Sequence, residues 1–204
     1  MRPRNFIVAF LLGAAIAAGL TLALRMGSEQ ATPIQATVLP AGNALPAFTL
    51  LDHDGATIDS TIFEGQWDLV FFGFTHCPDI CPATLQILAQ ARKQLAERGQ
   101  NPLPRIVLVS VDPERDTPEV MSKYVSLFGD GNLGITGDLE EVSKLTDALG
   151  IYFAKAPADD GNYSVDHSTV VLVINPQGRF QALFSAPYSV EDIVHDLPLI
   201  MALR

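Results

Sequence analysis

Basic residues are scarce in this chain. Thirteen lysines and arginines stand against 23 aspartates and glutamates, a formal net charge of −10. Three of the arginines, Arg2, Arg4 and Arg25, flank an apolar N-terminal stretch, so the remainder is more acidic still. An acidic surface repels phosphate backbones, which argues against a nucleic-acid partner and leaves cationic proteins and metal ions open. Internal repeats and low-complexity tracts are also absent. Cysteine is nearly so: the chain has two, Cys77 and Cys81. Neither directly follows the apolar stretch, which excludes lipid attachment there, and any disulfide within the chain can join only these two. Such a bridge closes three intervening residues and removes far less chain entropy than a long loop, so stability is a poor reason for it.

Charge is missing altogether from residues 6–24, FIVAFLLGAAIAAGLTLAL. As a helix these residues reach about 28 Å, against a hydrocarbon core of about 30 Å. Arg2, Arg4 and the terminal amine precede the run and only Arg25 directly follows, so the positive-inside rule puts the N-terminus in the cytoplasm and the rest outside. A cleaved signal normally has a shorter apolar region and a small-x-small site. None follows Leu24, so residues 1–25 read as a single-pass signal anchor in the cytoplasmic (inner) membrane, with the soluble domain in the periplasm. Residues 26–44 carry prolines and glycines without a sustained period and read as a linker. Residues 45–204 then form one ordinary domain.

Within that domain, 48–51 and 57–58 flank DHDG, a turn signal, and predict an opening hairpin. The continuous apolar run at 68–74, DLVFFGF, suits a strand buried on both faces. A helix follows, with Leu85, Leu88, Ala89 and Leu95 on one face and Gly99 as its stop. A second buried strand is expected over 106–111. A helix capped by Asp116 or Thr117 and opened by Pro118 runs to about 128, and another opens at Gly137-Asp138 and runs to about 149. Strands over 151–154, 168–174 and 179–184 and a helix over 190–203 complete the reading. Strand and helix alternate first, and a hairpin and a helix finish. That order predicts an α/β sheet with a parallel core and an antiparallel edge, the thioredoxin-like arrangement.

The chemistry centres on THCPDICP, where a strand ends and a helix begins. On a helix, the four-residue spacing puts both sulfurs on one face, close enough for a disulfide or for two bonds to one ion. A helix N-terminus also favours negative charge, so both thiols are expected to ionise more readily than free cysteine. Metal binding and thiol redox chemistry both remain open on this pattern. Two thiolates alone satisfy few metal sites, so a third ligand has to converge on them. His167, just before an apolar strand, is the candidate the predicted sheet would bring opposite, although a strand-end histidine is more often a plain hydrogen-bonding residue. His76 adjoins Cys77 but should point away; His53 sits in a turn and His195 on the last helix, in solvent-facing or packing roles. With His167 as third ligand the donor set suits copper, whereas zinc usually wants a fourth ligand. Asp166 is a candidate to orient the imidazole, or a solvated loop carboxylate. The charged DPERDTPE at 112–119 reads as a turn followed by a helix cap.

Three motifs, FFGFTHCPDICP at 71–82, SVDPERDTPE at 110–119 and YSVDHS at 163–168, resemble the Sco/SenC family, the copper chaperones of cytochrome c oxidase assembly. The resemblance spans about residues 45–200. It implies a thioredoxin-like fold, one copper ion per chain, as Cu(I), Cu(II) or both, held by Cys77, Cys81 and His167, and delivery to the dinuclear copper centre of an oxidase subunit. An upstream copper donor and a thioredoxin-like reductant of the cysteines are further expected partners. The competing reading is a thiol–disulfide oxidoreductase in which Cys77 and Cys81 form a redox-active pair and Cys77 attacks. Against that as sole role, such enzymes generally place two residues between their cysteines, and here there are three. A redox or copper sensor needs a signalling partner that the sequence does not reveal.

Overall fold

The computed structural model describes residues 32–157 and 163–203, with Gly13, Ala14, Ile16 and Gly19 of the N-terminal stretch. The chain divides into Met1–Thr32 and Pro33–Arg204, and the second unit holds every element named below. Among the described residues no helix is long and apolar enough to cross a membrane. The anchor expected over residues 1–25 lies, but for those four positions, outside them.

An eight-stranded mixed sheet runs through the second unit in the order β1-β10-β9-β4-β5-β6-β2-β3. Its centre is parallel: β4 (Asp68–Gly73) pairs with β5 (Arg105–Ser110), and β5 with β6 (Leu133–Thr136). On one side β9 (Val171–Ile174), β10 (Arg179–Phe184) and β1 (Ala36–Ala44) add antiparallel. On the other, β2 (Leu50–Asp52) and β3 (Thr57–Ile58) close the edge. All six residues of β4 are buried, which is why the 68–74 run lacks the alternation of a half-exposed strand. A separate two-stranded sheet pairs β7 (Phe153–Pro157) with β8 (Tyr163–His167).

Four helices cover the sheet: α1 (Ile80–Glu97), α2 (Pro118–Ser126), α3 (Leu139–Leu149) and α4 (Val190–Met201). The apolar positions of α1, Leu85, Leu88, Ala91 and Leu95, recur at helical spacing and are buried. Gly99 ends it at φ 79°, a conformation only glycine adopts cheaply. Thr117 caps α2 with Pro118 in its first turn, Asp138 caps α3, and Ser189 with Asp192 forms a capping box on α4. Because side chains alternate along β4, Val70 and Phe72 meet Leu145 and Leu149 of α3. Gly73, on the opposite face, lies against Cys81 of α1.

Three sequence expectations change. The second half of the expected linker, 36–44, is a sheet strand: Ala36 to Val38 pair with Phe184 to Ala182, and Asn43 and Ala44 pair with Phe180 and Arg179 across a register shift. Its Pro40 and Gly42 hid it, and both are tolerated because β1 is an irregular edge strand. The strand expected over 168–174 begins at Val171, and 163–167 forms a strand of its own. The strand expected over 151–154 is displaced to Phe153–Pro157.

Candidate metal centre

Cys77 lies in the turn after β4, ahead of the helix, and Cys81 is the second residue of α1. The Cys81 amide donates to Cys77 Sγ at 3.4 Å, so the start of the helix folds around the first sulfur. Both cysteines are free, and they differ in setting. Cys81 is wholly buried, whereas Cys77 is half-buried and lines an open cleft of about 240 Å3. Cys77, Pro78 and Ile80 face Val165, Asp166 and His167 across it. A larger cavity of about 490 Å3, lined in part by Leu50, Thr57, Pro118 and Asp138, has no thiol or imidazole in its wall.

His167 closes the site from the end of β8. Its Nε2 lies 3.3 Å from Cys81 Sγ, and its ring meets Phe71 and Phe74 edge-on, with centroids 5.6 and 5.9 Å away. Nδ1 lies 3.0 Å from the carbonyl of Ser168. A carbonyl only accepts, so Nδ1 carries the proton and the Nε2 lone pair points at the sulfurs. The group that orients the imidazole is thus the Ser168 carbonyl rather than the carboxylate of Asp166, whose side chain is exposed on β8. Burial pushes the His167 pKa below its ordinary value, against the opposing Ser168 bond and Asp166 charge.

Burial likewise pushes the Cys81 thiol well above the usual range. The expectation that helix placement eases ionisation of both thiols therefore fails at Cys81. There, removal from water outweighs the partial positive charge of a helix end. In the metal-free protein the Cys81 S–H donates to Nε2, so a proton occupies the line between two ligand atoms.

The ligand atoms of Cys77, Cys81 and His167 all lie within 4.8 Å of one another. First-row metal ions such as zinc bind thiolate at about 2.3 Å and imidazole at about 2.0 Å, so three ligands spread around one ion stand about 4 Å apart. Side-chain shifts of up to about 1 Å would seat an ion. His76, half exposed, lies near Thr75 Oγ1 at 3.2 Å and Asp116 at 3.8 Å instead. His53 Nδ1 accepts from the Gly134 amide at 2.9 Å. His195 bonds Asp196 at 2.7 Å.

Sequence reasoning missed the role of segment 112–119. Thr117 does cap α2 as expected, but Asp112 and Asp116 are fully buried and serve the site. Asp116 accepts from the Thr75 hydroxyl at 2.6 Å and the Thr75 amide at 3.1 Å, and from Ser110 Oγ at 2.6 Å. Asp112 accepts from the Tyr163 hydroxyl at 2.8 Å and pairs with Arg115. The available signal was a pair of acids directly after a buried strand, where carboxylates need partners.

The SCO1/SenC family profile matches residues 35–202 of the chain. The chain belongs to the SCO1/SenC family. Its relatives include the bovine (Bos taurus) mitochondrial SCO2 homolog, 39% identical over 206 residues, spanning 99% of this chain and 76% of that protein. Among solved SCO1/SenC structures, Arabidopsis thaliana ScoI with copper bound superposes with a TM-score of 0.70 at 34% identity, covering 74% of this chain and 92% of that one. Bradyrhizobium japonicum ScoI with copper bound gives a TM-score of 0.66 at 31% identity, covering 76% and 97%. The thioredoxin-like α/β arrangement read from the sequence is the fold of this family.

Proposed function

We propose that this chain binds one copper ion through Cys77, Cys81 and His167 and passes it to the dinuclear copper centre of cytochrome c oxidase as that enzyme is assembled. We further propose that residues 1–25 tether it to the cytoplasmic membrane with its domain on the periplasmic side. The convergence of two sulfurs and one unprotonated imidazole nitrogen within 4.8 Å carries the reading. Soft thiolates with one imidazole suit copper in either common oxidation state, and a three-ligand site with an open side accepts and releases its ion. Copper-bound relatives at 34% and 31% identity support the choice of metal.

Metal analysis of the full-length chain after copper loading and desalting is expected to find about one copper per chain. Cys77→Ala and Cys81→Ala are each expected to lower affinity for either oxidation state, and His167→Ala that for Cu(II), by about tenfold or more, since losing one ligand bond exceeds the loss of an outer-shell partner. Tight Cu(II) retained by the His167→Ala protein would remove His167 from the ligand set.

The contrast between an accessible Cys77 and a sealed Cys81 also favours a second reading, a thiol–disulfide exchange activity. Cys77 thiolate would attack a disulfide of the oxidase subunit, and Cys81 would resolve the mixed disulfide, leaving the partner reduced and Cys77–Cys81 oxidised. Rapid reduction of a disulfide-bonded subunit peptide by a chain that holds copper loosely would select this reading over the first.

A further inference from the structure

The turn at 112–116 touches both halves of the metal centre. On one side Asp116 holds Thr75, two residues ahead of Cys77. On the other, three residues, Asp112, Glu114 and Arg115, reach the β7–β8 hairpin. Asp112 accepts from the Tyr163 hydroxyl at 2.8 Å, and Glu114 pairs with Lys155 at 2.6 Å. Arg115 Nη1 donates to the Tyr163 carbonyl at 3.2 Å while its guanidinium lies 3.9 Å from the Tyr163 ring centroid. The Asp112 carboxylate pairs with Arg115 Nε, which fixes the guanidinium over that ring.

The hairpin needs such holding. It is a two-stranded sheet outside the main one, and two strands alone are marginally stable in water. Tyr163 begins β8 and His167 ends it, so wherever the start of the strand is fixed, the imidazole four residues on is fixed too. Cys81 is carried by α1 and packs directly on β4; the hairpin meets the core through side chains, buried Val165 and the His167 ring against Phe71 and Phe74, while its backbone pairs outside the main sheet. One part of the centre is therefore carried by a helix of the main layer, and the other by a two-stranded arm seated on the core by its side chains.

We propose that the Asp112–Arg115 pair is the positioning device for the His167 arm, setting where Nε2 stands relative to the two sulfurs and so selecting which copper oxidation state is held tightly. The proposal rests on the copper reading above. Loosening the arm leaves a two-thiolate site, which suffices for soft Cu(I), whereas Cu(II) depends more on the nitrogen ligand. Removing Arg115 alone would strand the buried Asp112 carboxylate, so the informative variants are the paired Asp112→Asn/Arg115→Met and the milder Tyr163→Phe and Arg115→Lys.

The test has two arms, both on the full-length chain. In the metal-free protein, hydrogen exchange at 163–167 is expected to quicken by about tenfold in the paired variant while β4 and β5 stay protected, with smaller effects in the milder variants. With Cu(I) and Cu(II) titrated separately against competing chelators, Cu(II) affinity is expected to fall by about 10- to 100-fold and Cu(I) affinity by less than about threefold. Arg115→Lys should recover part of the Cu(II) loss. Unchanged exchange in β8, or equal losses for both oxidation states, overturns the proposal. If the parent chain binds neither ion, the copper reading fails by itself, and the exchange arm still decides whether this pair holds the hairpin.

Discussion

At Gly73 the sheet lies close against the buried thiol. A Cβ there would stand 2.9 Å from Cys81 Sγ and 2.8 Å from a Phe71 ring carbon, closer than packed side chains approach. Gly73→Ala is expected to push the start of α1 off the sheet, costing about 1–3 kcal/mol as an overpacked core does. Copper affinity should weaken with it; denaturant unfolding and chelator competition measure the two effects. A glycine inside the FFGF run carried that information, because an isolated glycine in a strand marks a close approach. His167 supplies a pH signature. Its pKa lies below the ordinary histidine value of about 6.5, so in the metal-free protein its ring protons are expected to titrate below that pH by NMR. The neutral, ligand-competent ring thus persists as pH falls through 6.5. Below that value the unfolded chain binds a proton that the folded one does not, so stability declines with further acidification. On the proposed ligand set, Cys81 acts in the opposite sense on copper uptake: with its pKa raised by burial, an ion would have to displace a proton there, and binding is expected to strengthen with rising pH.

The strand β1 is held by an unusual anchor. The buried carboxylate of Asp196 on α4 accepts the amides of Ile34, Gln35 and Ala36 at 2.9, 2.7 and 2.8 Å, with His195 completing its set. Burial alone would raise the Asp196 pKa, but these donors more than offset it and hold it below the usual carboxylate value. Asp196→Asn replaces an acceptor-only group by one that cannot serve every donor, at a cost of about 1–3 kcal/mol. Hydrogen exchange and protease cleavage near residues 34–38 are expected to quicken first. The elements legible in the sequence were those with long, regular patterns: β4, β5, β10 and all four helices, with Gly99 ending α1, Thr117 opening α2 and Asp138 opening α3. Those that escaped have little pattern to read. β1 carries Pro40 and Gly42 and a register shift; β6 spans only Leu133–Thr136. In β8 the alternation was present, with Tyr163, Val165 and His167 inward and Ser164 and Asp166 exposed, but the five residues are half polar. The cysteine pair was legible because the two lie four residues apart where a strand gives way to a helix, although Cys77 sits in the turn before the helix rather than on it. The brace from 112–116 was not, because its partners lie at Thr75 and Tyr163, 41 and 51 residues from the acids that hold them.

For the molecule as a whole, the boundary of the folded unit decides which fragments survive. A fragment of residues 33–204 keeps β1 and the Asp196 anchor, and is expected to fold and bind copper like the full chain. One of residues 45–204, the domain read from the sequence, uncovers the edge of β10 and leaves the buried Asp196 carboxylate with three donors missing. It is expected to melt lower by about 5 °C or more, since about 1 kcal/mol already shifts a domain of this size by about 2–4 °C; parallel thermal melts of the two fragments make the comparison. The sealed setting of Cys81 has a kinetic consequence. On the proposed function, a copper ion held between it and the cleft would be reached past Cys77 and His167, so an acceptor would displace those ligands first and the inner sulfur last. Transfer would then proceed by stepwise exchange within a joined pair of proteins. Its rate would follow the concentration of the acceptor, with the ion never set free in water.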